Sequence, residues 1–294
     1  MLEHGTLRYF TSGHADSTQR DLYLEELSQA QHLWVTNLDE QTLDAAERLM
    51  AGKWSALPHP YVLDERAPFP TNFALRDHLL KFTGSTSLVF LPSSLNMEEW
   101  HNKGTSTALA SFKLLHQAGA RVGLVLVRWG LSVSAVERWL ADQNLETFVF
   151  WMEPQPRITL QQIMASVDVV WDQFALEAMG GLAIKCMEQG APLVSRGISA
   201  RGLQLIGEPP NYLTAATPQD VAARSLDVIG ISSTLGLSSA HSHFGLPGRN
   251  WLVRRHHHEI CRQLQVERYR ELLTFGTNAP SAHPDAWSHQ PDYR

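Results

Sequence analysis

The sequence predicts an α/β fold: a doubly wound parallel sheet of Rossmann-like type with a smaller, partial unit at its N-terminus. Two observations carry this. Short apolar runs without polar alternation recur through the middle of the chain, the mark of strands buried on both faces. Helical periodicity fills the gaps between them, and such alternation builds a parallel sheet covered on both sides. A third observation sets the scale. The chain has 294 residues, 44% hydrophobic and 18% charged, enough to bury a sizeable core, and this composition excludes general disorder.

Along the chain, Tyr23 to Leu33 and Leu38 to Met50 read as helices around one short strand, His32 to Thr36. The run P-H-P-Y-V-L-D-E-R-A-P-F-P, Pro58 to Pro70, reads as a linker because of its prolines. Ser87 to Leu91 is an apolar strand stopped by Pro92. Lys103 to Gly119 has Leu109, Phe112 and Leu115 at helical spacing and a glycine stop. Arg121 to Val127 and Phe148 to Trp151 are strands, with an amphipathic helix from Ser134 to Gln143 between them. Leu160 to Ser166 is a short helix and Val167 to Trp171 the next strand. Gly181 to Gln189 is helical, and Pro192 to Ser195 is strand-like. Thr217-Pro218 is an N-cap followed by proline at the first helical position. The expected organisation is a partial unit over 1–57, a linker over 58–70 and the main domain over 71–250. A helix over 251–275 returns toward the N-terminal segment, and 276–294 is a flexible tail rich in Pro, Ser, Ala and His.

The net charge of -6 argues against a nucleic-acid partner, which needs a basic face. Cys186 and Cys261 form no disulfide framework and suit a reducing compartment. No apolar run approaches the roughly 18 residues of a membrane span, and M-L-E-H-G-T-L-R lacks a signal-peptide core. The expected location is the cytoplasm, and peripheral membrane contact is compatible with that.

Two stretches draw attention at the carboxyl edge of the sheet, where open parallel sheets bind ligands. Gly180-Gly181 opens a helix after the strand ending at Trp171. The first N–H groups of a helix lack partners and its dipole makes that end positive, so a glycine pair there lets an anion approach. Taken alone, Gly-Gly before a helix is more often only a tight turn. Lys103-Gly104 stands at another helix start, where a lysine is unfavourable unless an anion is present; the alternative is a solvated surface lysine.

In order, the chain shows Lys-Gly at a helix start, a strand reaching Gly130, D-V-V-W-D-Q-F, Gly-Gly, a helix and Gly-Ala-Pro. E-P-P-N-Y-L-T-A-A-T-P-Q-D-V (Glu208 to Val221) and G-R-N-W-L-V-R-R-H (Gly248 to His256) follow. This order resembles the nucleotide-binding half of GT-B retaining glycosyltransferases of family four. The resemblance runs from about Pro58 to Leu273, and the opening M-L-E-H-G-T-L-R is similar to the partner domain's loop facing the same cleft. It implies a nucleotide-sugar donor as co-substrate, no separate cofactor and no metal, and a glycan or lipid-linked acceptor. Lys103 and Gly104 would then face the donor diphosphate, with Gly130, Gly180 and Gly181 in the donor-binding loops. Glu177 would be the first acid of the family's glutamate pair, the one facing the donor sugar.

The chain departs from that pattern. The second glutamate, which holds the ribose in the family, falls on Lys185, which would contact a phosphate or solvent instead. The family's frequent arginine before Lys-Gly falls on Glu98. The segment before Pro58 resembles only the end of an acceptor domain, so the chain is expected to be a truncated enzyme or a domain that works with a partner. Consecutive histidines 256–258 chelate poorly on a helix because they point in different directions, and His241 and His243 are expected in a Ser/His/Gly loop. The readings that remain are a retaining glycosyltransferase of cell-surface glycan synthesis, a non-catalytic nucleotide-binding relative, and a GT-B-fold sugar-nucleotide epimerase.

Overall fold

The structure is a computed structural model, and it describes residues 2–3, 6–11, 15–57, 61–64, 66–97 and 103–275. Glu98, residues 1, 4 and 5 of the N-terminal octapeptide and the tail 276–294 therefore lie outside the described residues.

The main sheet has six parallel strands: β4 (Ser87–Leu91), β5 (Val122–Val127), β6 (Val149–Met152), β7 (Val169–Trp171), β8 (Leu193–Ser195) and β9 (Leu213–Thr214). Their order is β6-β5-β4-β7-β8-β9. Leu88 lies opposite Gly123 on one side of β4, and Val89 opposite Val169 on the other. β4, β5, β7 and β8 are buried along their whole length, as their unbroken apolar runs require. After β4 the chain winds outward through β5 and β6, then returns to β7 and winds the other way. The switch point is thus between β4 and β7, and the crevice beyond their carboxyl ends is where such sheets receive ligands.

A second sheet of three parallel strands, in the order β1-β2-β3, is formed by β1 (Leu2–Glu3), β2 (Leu33–Val35) and β3 (Trp54–Ala56). α1 (Thr6–Thr11), α2 (Ser17–Gln29) and α3 (Glu40–Met50) accompany it. Only β2 was expected there. β1 and β3 hold too few residues to show a period of two, and their pairing is fixed across the chain rather than locally. Leu33, Val35 and Leu43 from this unit share one continuous core with Val170, Ile184 and Trp251.

The crossover helices of the main domain are α5 (Thr105–Gln117), α6 (Val133–Asp142), α7 (Arg157–Met164), α8 (Gly181–Gln189) and α10 (Pro218–Leu235). Thr217 caps α10 in a full capping box with Asp220. α4 (Phe73–Thr83) and α9 (Ala200–Ile206) had no counterpart in the sequence reading. Phe73 and Phe82 of α4 are exposed, which blurs its apolar stripe.

Two expectations about histidines are corrected. His241 and His243 are not in a loop: a wider helical turn with i→i+5 bonding, His241–Gly245, continues the short α11 (Leu237–Ala240) into α12 (Leu246–His256). His241 Nε2 bonds to the Val167 carbonyl at 3.0 Å. The three histidines 256–258 do not share one helix either. α12 stops at His256, His257 is extended, and α13 (His258–Phe275) restarts the helix. On α13, Tyr269 packs edge-on against Trp34 of β2 at 4.3 Å.

Candidate functional site

The loops leaving β4 and β7 pack backbone to backbone. The N–H of Phe174 donates to the Lys103 carbonyl at 2.9 Å. Gly104 caps α5 with φ +75°, and a Cβ there would press on Phe174 and Ala175 at 2.8 Å, so this position needs glycine. The fold therefore requires Gly104 for the turn and the close approach, whatever its role toward a ligand. Gly130, φ +108°, is used the same way: a Cβ would meet the Leu95 backbone. It fixes the loop after β5 against the loop after β4.

This packing presents Lys103 at the switch point. Its Nζ donates to Gln173 Oε1 at 3.1 Å, while Gln173 Nε2 donates to the Ala178 carbonyl at 2.6 Å. Two cavities meet here. One, of about 270 Å³, lies between the two sheets and is lined by Asn37, Lys103, Gly180, Gly181, Trp251 and His256 among others. The second, of about 410 Å³, extends along the main sheet and adds Trp129, Arg157, Asp172 and Lys185. Lys103, Gln173, Gly180, Gly181 and Tyr61 line both.

The glycine pair stands where the sequence put it. Gly180 is the N-cap of α8 without a side-chain cap, and Gly181 is the first helical residue. A Cβ on Gly180 would lie 3.1 Å from Asp172 Oδ2, and one on Gly181 would overlap the Tyr61 hydroxyl. The space above the helix start is thus shared between a carboxylate and a phenol, neither of which was assigned a role from sequence.

Asp172 follows β7 directly and is buried. Burial pushes its carboxyl up to about 6, against the opposing pull of Lys103 and of the Gln173 and Ala183 N–H groups. The Ala183 N–H belongs to the first turn of α8, so the aspartate faces that helix start. Its Oδ2 has no hydrogen-bond partner. The signal for it was present: a carboxylate directly after a strand as apolar as V-V-W, at the ligand edge of the sheet, is costly without a purpose.

Lys185 does line the larger cavity, but its ammonium is engaged by the protein. Its Nζ is 3.1 Å from Glu188 Oε2 and 5.3 Å from the Tyr61 ring centre. Glu188 also accepts from Gln161 Nε2 at 2.8 Å, lies 3.5 Å from Arg157 and binds the Asp64 N–H. These contacts strap the segment carrying Tyr61 and Asp64 to α8. Glu177 stands elsewhere. It pairs with Arg196 at 2.7 Å and lines a neighbouring depression with Thr214 and Asp220, rather than either of the two cavities. Among the described residues no group of three or more His, Cys, Asp or Glu could hold a metal ion. Among the described residues no helix is long and apolar enough to cross a membrane.

No protein-family model matches the chain, and no curated protein matches it. Solved structures do. HepE of Anabaena, in complex with UDP and glucose, aligns at TM-score 0.67 and 16% identity over 92% of this chain and 71% of its own. The sucrose-phosphate synthase of Thermosynechococcus elongatus aligns at TM-score 0.65 and 20% identity, over 94% and 68%. A glycosyltransferase of Rickettsia africae aligns at TM-score 0.61 and 11% identity, over 88% and 68%. At such identities the likeness speaks to architecture, and the architecture of this chain is the GT-B, Rossmann-like α/β fold.

Proposed function

We propose that this chain is a GT-B glycosyltransferase that moves a sugar from a nucleotide-sugar donor to a glycan or lipid-linked acceptor. The reading includes retention of anomeric configuration, without a metal, in the synthesis of a cell-surface glycan or polysaccharide. The observation that carries it is the convergence of Lys103 with the uncapped, glycine-lined start of α8 in one cleft between the two sheets. In such a transfer the leaving group is a nucleoside diphosphate. Its developing charge calls for a fixed cation and preorganised N–H donors, which Lys103 and the first turn of α8 supply. The structure of HepE with UDP and glucose supports the same direction. Glu177, turned toward Arg196, would reach a donor sugar only by leaving that pair.

A second reading rests on Tyr61 and Glu188. The Tyr61 hydroxyl lies over Gly181, and Lys185 is bound to Glu188 where the family resemblance expects a ribose-binding carboxylate. Both fit a non-catalytic relative that binds a nucleotide without turnover. Calorimetric titration with UDP-glucose, followed by a donor-consumption assay, separates the two. Binding with consumption supports the transferase, and binding without consumption supports the second reading. Absence of binding by any nucleotide sugar at millimolar concentration would sink both.

A further inference from the structure

The glycine pair at α8 is not a plain anion cradle. Its approach is shared by Asp172, a buried carboxylate with one oxygen unpartnered beside Gly180. α8 has nine residues, and Asp172 lines the larger cavity at its start. A diphosphate arriving there meets Lys103 and the helix N–H groups, but it also meets this oxygen. Two anions in contact in a dry site do not both remain ionised; one of them takes a proton. A phosphodiester-type oxygen is far too acidic to take it, so the carboxyl does. Once protonated, Asp172 changes from a repelling acceptor into an O–H donor.

We infer that the site takes up a proton from solvent on Asp172 Oδ2 when a nucleoside diphosphate sugar binds, and that the resulting carboxylic acid donates a hydrogen bond to a phosphate oxygen above Gly180. This rests on the nucleotide-sugar reading of the cleft. No covalent bond changes: the proton comes from bulk water and returns there when the ligand leaves. Burial already holds the free carboxyl near 6, so the step needs only a modest further push.

The groups around Asp172 come from every neighbouring element. Lys103 precedes α5, Tyr61 lies on the linking segment, Cys186 is on α8, and Tyr212 precedes β9. Burial raises both tyrosines and the cysteine above their ordinary values, so they stay neutral near pH 7. Arg157 and Lys185 line the same cavity as cations. His256 lines the adjoining cavity, and the variant below tells its contribution from that of Asp172.

The probe is UDP-glucose, whose diphosphate does not titrate between pH 5 and 9 by its ordinary phosphodiester acidity. Titration calorimetry near pH 7.5 in buffers of different ionisation heat should show uptake approaching one proton per ligand for the wild-type chain. Affinity should fall up to about tenfold per pH unit above about pH 6.5. Asp172→Asn places an N–H donor where the acid would stand. It should bind more tightly than wild type at pH 8, without proton uptake and with a flat pH profile. Binding without proton uptake by the wild-type chain would overturn the inference and leave the nucleotide-sugar reading intact. The same slope in Asp172→Asn would also overturn it and assign the slope to another group, His256 first. Absence of binding at pH 6 by both proteins, with UDP-glucose and with every other nucleotide sugar at millimolar concentration, would remove the nucleotide-sugar reading and this inference with it. The proton count on the wild-type chain decides the matter if the variant fails to fold.

Discussion

Two buried aspartates sit at opposite ends of β7 and have opposite surroundings. Asp168, at the amino end, is 0% exposed and fully engaged. Arg76 reaches it at 2.9 Å, the Leu88 N–H donates at 2.7 Å, and the Ser232 hydroxyl donates to its other oxygen. It ties α4, β4 and α10 to one point below the sheet. Asp172, at the carboxyl end, is 3% exposed and keeps one oxygen without a partner. The chain satisfies the first carboxylate completely and leaves the second costly. Burying a charge without full compensation is tolerated where a ligand completes it. The lower end of the strand serves stability, and on the proposed reading the upper end is kept ready for a ligand.

The comparison breaks first at the lower end. Asp168→Ala leaves the mostly buried Arg76 without its carboxylate and the Leu88 N–H and Ser232 hydroxyl without their acceptor, and the expected loss is about 3–5 kcal/mol of folding stability. Urea denaturation measures it, and a loss under about 1 kcal/mol would show that Asp168 is no anchor.

At the upper end the expected sign reverses. Asp172 has a raised folded-state pKa, about 6 against 3.8, so its contribution is fully present below about pH 4 and is lost as pH rises through about 6. Above that, the ionised carboxylate weakens the fold by an order of 2–3 kcal/mol. Asp172→Asn should therefore melt higher than wild type at pH 8 and alike at pH 4. Lower stability at pH 8 would mean that the charge on Asp172 helps the fold.

Lys103→Ala should weaken UDP-glucose binding by roughly 1.5–3 kcal/mol, the usual size of a hydrogen bond to a charged group. Lys113→Ala, on α5 but away from the cleft, should leave binding unchanged. Equal affinities for the two variants would take Lys103 out of the site. The smallest effect is expected at Glu177, whose pair with Arg196 is partly exposed to solvent. Glu177→Gln should change stability by less than about 1 kcal/mol. A fall in turnover at unchanged donor affinity would show that Glu177 leaves Arg196 for the sugar, and an unchanged rate would assign it to the surface.

Much of this was legible in the residues. Five strands of the main sheet, β4 to β8, declare themselves through their apolar runs, because burial leaves its mark on consecutive positions; β9, two residues long with Thr214 exposed, was not expected. Thr217-Pro218 and the start of α8 at Gly181 were readable because caps and glycines act within a single turn. Lys103 and the glycine pair could be named for the same reason: each stands at a helix start. What the sequence could not supply was their company. Tyr61 lies in a proline-rich segment that reads as a linker, and only the contacts of Asp64 and Tyr61 with α8 bring it over Gly181. Lys185 and Glu188 are three residues apart on one helix, yet the partners from α7 and the linking segment make them a strap. The pairing of β1 and β3 with β2, and the strand order that puts β4 beside β7, are long-range choices. Local periodicity records which face of a segment is buried. It does not record against what, and a site made of side chains from several loops exists only once those loops have been packed together.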